Sequence, residues 1–564
     1  MDGWICHETE RRIISTPRPP GFHLGKGKEK PHPNHSTFYG QQRSVPYKED
    51  LRGGFTMRRQ RFRTGIKAKT GPHWSTRDPI VRQIRDPRED AAYRLVIESS
   101  SIRASAPVVE QISAASASTP VSGIPLNSHI NSVSTTAMPR PAPLSVLPLA
   151  TVLRTLASTT ISSSRILLPP SLAIMSTLAH SDQNLLNPDK NPFLRWFLKK
   201  TFYAQFCAGE NNFEIRRTIN GLKGLGFSGV ILGYAREVVL TDAQTRDLSS
   251  CGEGLVAEEC IRNEIIPWAA GTKETLRLAQ PGDFVAIKFS GAGRQALYAL
   301  KNRLPPSQHL KKALDEICDL AVARDVPLLI DAEQDTIQAG IDDWALEYQR
   351  KYNTKPGHAI IYNTYQAYLK AVPAILSSHL ATASNEGFTL GVKLVRGAYL
   401  GSDPRHIIHD TKADTDAAYD SIASSLIRRQ WGPTLQQNVA FPQISIILGS
   451  HNLDSVCKAR KLRASPESAG TELAIAQLQG MADEVSCELL VARQNAGQAG
   501  KKDGEPCEAP RAYKYIVWGS TKECMKYLLR RAHENKDAVS RTKNGRDAAW
   551  EEVKRRAKAV VGLA

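Results

Sequence analysis

The chain has 564 residues, of which 41% are hydrophobic and 23% are charged. This composition provides enough apolar material for a large core, and it excludes a wholly disordered chain and a polytopic membrane protein. The formal net charge is +18, and half of it lies in residues 1–110, which hold 21 Lys and Arg against 12 Asp and Glu. The nine cysteines have no pair at two-residue spacing, so we expect free thiols, no disulfide framework and no metal site.

The front of the chain has two compositions. Residues 1–137 are mostly rich in Arg, Pro, His and Gly and show no sustained period, so we predict a disordered basic extension. Residues 111–181 contain no Asp or Glu and carry spaced arginines among Ser, Thr, Ala and Leu, which is typical of a mitochondrial transit peptide. We therefore interpret residues 138–186 as a transit-peptide-like segment. Its apolar runs are shorter than the roughly 20 residues that a membrane span needs.

The internal position of this segment requires an explanation, because a presequence acts at the N-terminus. Our hypothesis is that translation of the functional form starts at Met138, or alternatively at Met175, and that residues 1–137 are an upstream extension. A genuine long basic arm is the other interpretation. A nucleic-acid-binding function is not expected, because no zinc finger or RNA-binding aromatic motif accompanies the charge.

From about residue 187 onward, short β-branched runs alternate with segments of helical period. Near-continuous apolar strands joined by helices indicate a parallel sheet, and eight of them favour a closed (β/α)8 barrel over residues 187–564. An open doubly wound sheet is the alternative, but no Gly-x-Gly-x-x-Gly follows a strand. The predicted strands are Gly229–Gly233, Phe284–Ser290, Pro327–Glu333, Ala359–Gln366, Leu390–Tyr399, Ile444–Asn452, Ser486–Arg493 and Tyr513–Gly519.

Polar residues gather where these strands end. The chemistry of a barrel lies at the C-terminal ends of its strands, so these side chains form one candidate ligand site. A strand that merely reaches solvent also ends in a polar residue, and that alternative holds for any one position. The strand-end residues are Lys288, Ser290, Asp331, Glu333, Tyr365, Gln366, Arg396, Tyr399, His451 and Asn452.

A late predicted helix carries two adjacent arginines. Arg530 and Arg531 point about 100° apart on a helix, so their rigid donor forks can hold one carboxylate from two sides. Glu534 lies three residues after Arg531, close enough to pair with it, and Tyr527 lies four residues before it. A solvated basic helix is the competing interpretation, because Lys526 and His533 are nearby.

Seven segments, in this order, resemble the proline dehydrogenase (proline oxidase) family, and in particular a fungal-type mitochondrial member. The resemblance covers roughly residues 190–560. It implies a distorted (β/α)8 barrel that binds FAD non-covalently. It also implies oxidation of L-proline to Δ1-pyrroline-5-carboxylate, with electrons passed to ubiquinone at the matrix side of the mitochondrial inner membrane. The segments are Leu329–Glu333, Tyr365–Tyr368, Lys393–Tyr399, Thr411–Asp416, Ser450–Asn452, Gln477–Met481 and Tyr527–Glu534.

The resemblance also implies roles for single residues. Arg530 and Arg531 would hold the proline carboxylate, with Glu534 fixing Arg531 and Tyr527 lying beside them. Lys288, Asp331 and Tyr515 would carry the catalytic roles, and Leu478 and Tyr515 would wall the proline ring. The residues expected around the flavin are Asp331, Gln366, Lys393, Val395, Arg396, Gly397, Ala398, Tyr399, Ser450 and His451.

Three positions depart from the family pattern but keep charge or hydroxyl: Lys393 replaces a common arginine, Arg396 a common lysine and Ser450 a common threonine. Two alternatives to proline oxidation stay open. A hydroxyproline dehydrogenase is disfavoured by the bulk of Tyr515, which leaves little space for an added hydroxyl. An inactive barrel scaffold is disfavoured because each expected substrate contact is chemically competent.

Overall fold

The computed structural model describes residues 142–235, 248–251, 254–465, 468, 472–503, 510–534 and 539–562. The predicted basic extension over 1–137 lies outside these residues. Among them, eight parallel strands close into a barrel in the order β2 to β9, and β9 pairs with both β2 and β8. This confirms the predicted (β/α)8 barrel. The strands are β1 (Cys207–Gly209), β2 (Gly229–Tyr234), β3 (Phe284–Ile287), β4 (Leu328–Ile330), β5 (Ile361–Gln366), β6 (Leu390–Val395), β7 (Ile444–Gly449), β8 (Leu473–Leu478) and β9 (Arg511–Trp518).

Helices cover the outside of the barrel and extend it at both termini. Helix α3 continues through a π-helical turn, Lys199–Tyr203, and a short helical segment to the start of β1. The α-helices are α1 (Leu149–Ser163), α2 (Leu168–His180), α3 (Pro192–Leu198), α4 (Asn212–Gly224), α5 (Gly254–Cys260), α6 (Ile266–Leu278), α7 (Arg294–Lys301), α8 (Gln308–Arg324), α9 (Asp335–Tyr352), α10 (Val372–Glu386), α11 (Lys412–Arg428), α12 (Leu453–Arg463), α13 (Asp483–Asp503), α14 (Thr521–Glu534) and α15 (Val539–Val560).

One predicted strand is wrong. Residues Ser486–Arg493 lie within helix α13, and the eighth barrel strand is Leu473–Leu478. The error has a physical reason, since the run around Ser486 buries Val485, Cys487, Leu489 and Leu490 with helical spacing. The true strand contains two alanines, which have weak strand preference, and its apolar content reflects burial on both faces.

The barrel interior is filled by side chains from the strands. Apolar residues of β2, β3, β4, β7 and β8 meet there with two tyrosines, and the rings of Phe284 and Tyr513 pack edge to face at 5.0 Å. The interior is therefore a packed core, and only the strand ends are available for a site. The interior residues are Ile231, Phe284, Ala286, Leu329, Ala359, Tyr362, Ile447, Ala474, Ala476 and Tyr513.

The segment interpreted as transit-peptide-like contains helices that pack into the fold. Val152 of α1 is fully buried in a cluster with Leu144, Cys487 and Ala549, and α1 packs along α15. Helix α2 packs against α14 and buries Ala179 completely. The folded unit therefore begins before residue 187, earlier than the predicted boundary, because the apolar faces of α1 and α2 find partners in the barrel domain. In the part of the chain that the structure describes, no helix is both long and apolar enough to cross a bilayer.

Helix α14 begins directly after β9 and is held at its start by groups from the N-terminal segment. The backbone N–H of Thr521 donates to Oε1 of Glu210 at 2.9 Å. A carboxylate there also interacts favourably with the helix dipole. The hydroxyl of Tyr203 donates to the carbonyl oxygen of Gly519 at 2.8 Å. These contacts fix the helix that carries the two adjacent arginines.

Candidate active site

A buried cluster of charge forms at the C-terminal ends of β3, β4, β6 and β9. Asp331 directly follows β4, and its Oδ1 accepts from Nζ of Lys393 at 2.5 Å. Its Oδ2 accepts from the hydroxyl of Tyr515 at 2.8 Å and lies 3.8 Å from Nζ of Lys288. The Lys288 ammonium also lies 3.5 Å from the hydroxyl of Tyr399. Side chains from β3, β6 and β9 thus converge on the single carboxylate that follows β4.

The charges in this cluster stabilise one another. Burial tends to raise the pKa of Asp331, but the charges of Lys393 and Lys288 and the Tyr515 hydrogen bond outweigh it and lower the pKa to about 2. Burial tends to lower the pKa of Lys288, yet Tyr399 and the carboxylates of Asp331 and Glu333 raise it above its ordinary value. Lys288 and Asp331 therefore remain charged at neutral pH.

A second set of bonds joins β3, β4, β5 and the loop after β6. The carboxylate of Glu333 accepts from the backbone N–H of Ser290 at 3.0 Å and from its hydroxyl. The amide of Gln366 donates to the carbonyl oxygen of Glu333 at 3.1 Å and accepts from the N–H of Ala398 at 3.2 Å. These bonds fix the backbone around Ala398, beside the charged cluster.

Gly397 stands where no side chain fits. Its φ is +145°, and a Cβ atom there would lie 2.0 Å from the ring of Tyr368. The Tyr368 hydroxyl in turn donates at 2.5 Å to Asp403, which also accepts from the backbone N–H of Asp335. The glycine therefore allows the chain after β6 to turn closely over a fixed aromatic ring.

Each of the three guanidinium nitrogens of Arg396 makes one hydrogen bond within the protein. Its guanidinium donates to Asp416 at 2.7 Å and to the hydroxyls of Ser450 and Ser455, each at 2.8 Å. Its Cζ also lies 4.3 Å from the ring centroid of Tyr419. This side chain joins β6 to α11, to the end of β7 and to α12, so its structural role is to fix that side of the barrel mouth.

The strand ends of β7 and β8 are linked in the same way. The imidazole Nε2 of His451 accepts a hydrogen bond from the backbone N–H of Leu478 at 3.1 Å. A ring nitrogen that accepts a hydrogen bond carries no proton. Leu478 lies beside Tyr515 in the register of β8 and β9. Gln477 donates to the carbonyl oxygen of Ser450 at 3.2 Å. Leu478 and Tyr515 therefore occupy neighbouring positions at the barrel mouth.

Helix α14 brings its arginines to this cluster. Tyr527 is buried, and its ring centroid lies 5.9 Å from Cζ of Arg530 and 5.3 Å from Cζ of Arg531. The positive charge of Arg530 tends to lower the pKa of Lys288, and that of Arg531 tends to lower the pKa of Tyr515. The two arginines therefore interact electrostatically with the cluster at the strand ends. The side chain of Glu534, predicted to hold Arg531, lies outside the described residues.

A mainly apolar cavity of about 150 Å³ continues from this region under α1 and α2. It is lined on one side by His451, Met481, Leu528 and Arg531. Met175 of α2 lies among its other lining residues. The N-terminal helices thus form part of the wall around the candidate site.

Comparison with known proteins identifies the family. The sequence profile described as proline dehydrogenase matches residues 215–544, which is more than half of the chain. The chain belongs to the proline dehydrogenase family. It is 30% identical over 419 residues to a protein named probable proline dehydrogenase, mitochondrial, from Schizosaccharomyces pombe, a match that covers 65% of this chain and 80% of that protein. This confirms the resemblance drawn from the seven motifs.

Two further comparisons are with a curated relative and with a solved structure. The chain is 26% identical over 395 residues to a hydroxyproline dehydrogenase of Bos taurus, covering 64% of this chain and 81% of that protein. A solved structure of proline utilization A from Bdellovibrio bacteriovorus, inactivated by N-propargylglycine, superposes with a TM-score of 0.49 at 16% identity. That match covers 68% of this chain and 38% of the bacterial protein.

Five of the residues predicted for the site share one bond network. Lys288, Asp331, Lys393, Tyr399 and Tyr515 are joined directly, as the preceding distances show. Val395 contributes its carbonyl oxygen, which accepts from the N–H of Ala367 at 2.8 Å. Their roles toward substrate and cofactor stay predictions.

Sequence reasoning missed the partners that hold the site residues. Asp416 lay inside a quoted motif, but its contact with Arg396 was not predicted. Ser455, which also bonds Arg396, and the buried pair of Lys514 with Asp483 at 2.8 Å were missed entirely. A charged residue within an otherwise apolar strand, as Lys514 is, was the signal for a buried partner.

Proposed function

We propose that this chain is a flavoenzyme that oxidises L-proline to Δ1-pyrroline-5-carboxylate, using FAD and passing the electrons to ubiquinone. The observation that carries the proposal is the charged cluster of Lys288, Asp331, Lys393 and Tyr515 at the barrel mouth, with Arg530 and Arg531 of α14 in the same electrostatic environment. Membership of the family supports the substrate, and the names of its relatives support a mitochondrial location. The matrix side of the inner membrane is part of the proposal.

The barrel mouth has the chemistry that FAD requires. The side-chain oxygen of Gln479 is buried with no hydrogen-bond partner among the described residues, so a ligand donor would satisfy it. Lys393 offers positive charge, and Gly397 lets the chain after β6 turn closely over the Tyr368 ring, which holds the backbone of Ala398 beside the cluster. The residues proposed to hold the cofactor are Asp331, Gln366, Lys393, Val395, Arg396, Gly397, Ala398, Tyr399, Ser450 and His451. FAD supplies the hydride acceptor, which protein side chains lack.

Arg530 and Arg531 position the substrate. The carboxylate is the one strong handle on proline, and two guanidinium groups give charge-assisted bonds that fix its orientation. Tyr527 packs beneath both arginines and limits the rotamers they adopt. Holding the reacting carbon in one place converts binding free energy into rate.

Tyr515 and Leu478 provide the wall beside the proline ring. Both lie at the barrel mouth, and the Tyr515 hydroxyl is fixed by its bond to Asp331. A water-poor wall disfavours the charged form of the secondary amine, and the neutral amine is the form from which a hydride departs. Asp331 therefore acts through Tyr515 and the two lysines, holding them in the orientation the reaction needs.

The proposal is tested by turnover of the purified full-length chain with L-proline and a soluble ubiquinone analogue. We expect a product two hydrogen atoms lighter than proline, formed together with the reduced quinone. A chain that turns over trans-4-hydroxyproline faster than proline would instead be a hydroxyproline dehydrogenase. A chain that binds FAD but turns over neither substrate would be an inactive scaffold.

A further inference from the structure

Helix α3 presents an aromatic face to solvent. Phe193, Trp196 and Phe197 lie at positions i, i+3 and i+4, and their exposed fractions are 75%, 57% and 48%. The rings of Phe193 and Trp196 stack with centroids 6.2 Å apart. Leu198 on the opposite face is buried in the core cluster that also contains Tyr527. The helix is therefore anchored by one face and leaves three large rings uncovered on the other.

A basic groove lies beside this face. It has a volume of about 660 Å³ and is bounded by α1, α3 and α4. Its cationic lining residues are Arg154, Arg195, Lys199, Lys200 and Arg217. Glu210 pairs with Arg195 at 2.7 Å and with Lys199 at 2.8 Å, and Glu214 pairs with Lys199 at 2.5 Å. Two carboxylates thus serve two of the five cations.

The remaining three cations have no carboxylate within ion-pair distance in the part of the chain that the structure describes. Arg154 makes one side-chain hydrogen bond, from Nη2 to the hydroxyl of Thr151 at 3.2 Å, and its Nε atom is buried without a partner. Burial lowers the pKa of Arg154, because no carboxylate compensates its desolvation. An anion in the groove would supply that compensation.

Helix α4 continues the same character. Phe213 is 73% exposed, and Arg216 and Arg217 follow it at i+3 and i+4, so one face of α4 carries an aromatic ring and two exposed cations. Arg217 lines the groove. Exposed aromatic rings interleaved with cations are typical of surfaces that lie at the headgroup level of a bilayer.

We propose that the aromatic face of α3 together with this groove forms a docking surface for a bilayer that contains anionic phospholipid. The rings of Phe193, Trp196 and Phe197 enter the interface, and the unpaired cations of the groove contact lipid phosphates. The groove's net positive charge, which is complementary to such lipids, selects this occupant over a second copy of the equally basic chain. The inference rests on the membrane association in the proposed function, and it adds the surface that makes the contact.

Docking here would place the enzyme in a defined orientation. Glu210 pairs with Arg195 of α3 and also accepts from the N–H of Thr521, the first residue of α14. The docking surface is thus connected through one carboxylate to the helix that carries Arg530 and Arg531. A lipid-soluble electron acceptor would then reach the enzyme from the membrane leaflet on which the enzyme is docked.

The test uses the full-length protein and vesicles of phosphatidylcholine alone or of an equal mixture with phosphatidylglycerol. Cosedimentation measures the bound fraction of the wild type, of a Phe193→Ser, Trp196→Ser, Phe197→Ser variant and of a Lys200→Glu, Arg217→Glu variant. The matched control is Leu255→Ser with Trp550→Ser, since these residues are 84% and 52% exposed elsewhere on the surface. Proline turnover with a soluble acceptor is measured for every variant, and it is expected to be unchanged.

We expect the wild type to bind the mixed vesicles, and each docking-surface variant to bind them at least about tenfold more weakly. Binding should also weaken as NaCl rises from about 0.1 to 0.5 M. Equal binding by all variants, or equal loss in the control, would overturn the proposal. A change of oligomeric mass in the aromatic variant with unchanged vesicle binding would assign the face to a second copy. Because turnover is measured separately, failure of docking is distinguished from failure of the proposed activity.

Discussion

The two lysines around Asp331 define the site at the scale of single residues. A carboxylate shared by Lys393, Lys288 and Tyr515 is held in its ionised form, so its charge is independent of pH across the physiological range. The pKa of Asp331 is lower in the folded protein than in the unfolded chain, so its ionised form stabilises the fold at any pH above the unfolded pKa. That stabilisation is lost as the pH falls toward about 2. The charge of Asp331 therefore does not change across the physiological pH range.

Replacing Asp331 by asparagine tests the role of that charge. The change leaves Lys288 and Lys393 close together without their shared counter-charge, so the pKa of at least one lysine falls. We expect turnover to acquire an additional dependence on pH between about 7 and 10, beyond that which titration of the substrate amine gives the wild type. The pH profile of kcat/KM checks this, and Asp319→Asn on the exposed side of α8 is the control. An Asp331→Asn enzyme with the wild-type profile would contradict the role of the carboxylate.

The arginine clamp makes a second prediction at this scale. Arg531→Met removes a charge-assisted bond to the substrate carboxylate that is made before and during the reaction. The KM for proline should therefore rise about 100-fold with a smaller change in kcat, which corresponds to about 3 kcal/mol of lost binding. Steady-state kinetics measure it, with the surface substitution Arg546→Met as control. Saturation by proline at wild-type concentrations would remove Arg531 from the clamp.

Sequence reasoning located many of these residues but not their contacts. Lys288 and Asp331 could be selected from the sequence because each directly follows an apolar strand, and the active sites of barrels lie at these strand ends. The pairing of Asp331 with Lys393 joins positions 62 residues apart, which no local period reveals. Arg396 was assigned to the cofactor through the family resemblance, and only the three-dimensional structure shows that Asp416, Ser450 and Ser455 engage its donors.

At the scale of secondary-structure elements, apolar runs in the sequence correctly predicted seven of the eight barrel strands. The exception, Leu473–Leu478, has alternating small residues that read weakly as a strand, while Ser486–Arg493 is apolar enough to imitate one. Periodicity alone does not separate a short buried strand from part of a buried helix. Helices α1 and α2 were missed as parts of the fold because their acid-free composition matches that of an import signal.

The packing of these two helices predicts the effect of truncation. Removing residues 1–141 should leave thermal stability unchanged, whereas removing residues 1–186 should lower Tm by several degrees. The longer deletion exposes the partners of Val152, Met175 and Ala179 and removes one wall of the apolar cavity. Calorimetry of the two truncated forms checks this. Equal Tm values would mean that α1 and α2 contribute nothing to the folded enzyme.

Helix α9 carries a buried acid that makes the fold sensitive to pH. Asp342 accepts from Gln338 at 2.9 Å and from Asn363 at 2.8 Å, and burial raises its pKa to about 6. Its contribution to stability is present below the unfolded pKa and is lost as pH rises through about 6. Asp342→Asn should therefore stabilise the protein near pH 8 by at most about 3 kcal/mol.

The same substitution should have little effect near pH 4.5, where the folded protein already holds the neutral acid. Thermal unfolding at both pH values checks the difference. Asp319→Asn, on the exposed side of α8, is the control. A stabilisation of equal size at both pH values would mean that packing, and not ionisation, is responsible.

At the scale of the whole molecule, the barrel supplies a rigid frame, and α14 carries the two arginines proposed to clamp the substrate at its mouth. The N-terminal helices complete the wall, and α3 carries the aromatic face that we propose docks on a membrane. Each part acts on the one next to it through named contacts: Tyr515 with Asp331, Glu210 with Thr521 and Tyr203 with Gly519. The central claim is that these parts together hold a flavin in reach of proline.

The most direct test is a visible absorption spectrum of the full-length protein, recorded anaerobically before and after L-proline is added. We predict a flavin band that bleaches with proline in the wild type, and that in Arg531→Met bleaches only at about 100-fold higher proline. A protein that stays colourless and takes up no added FAD would contradict the account. So would a flavin band that proline leaves unchanged.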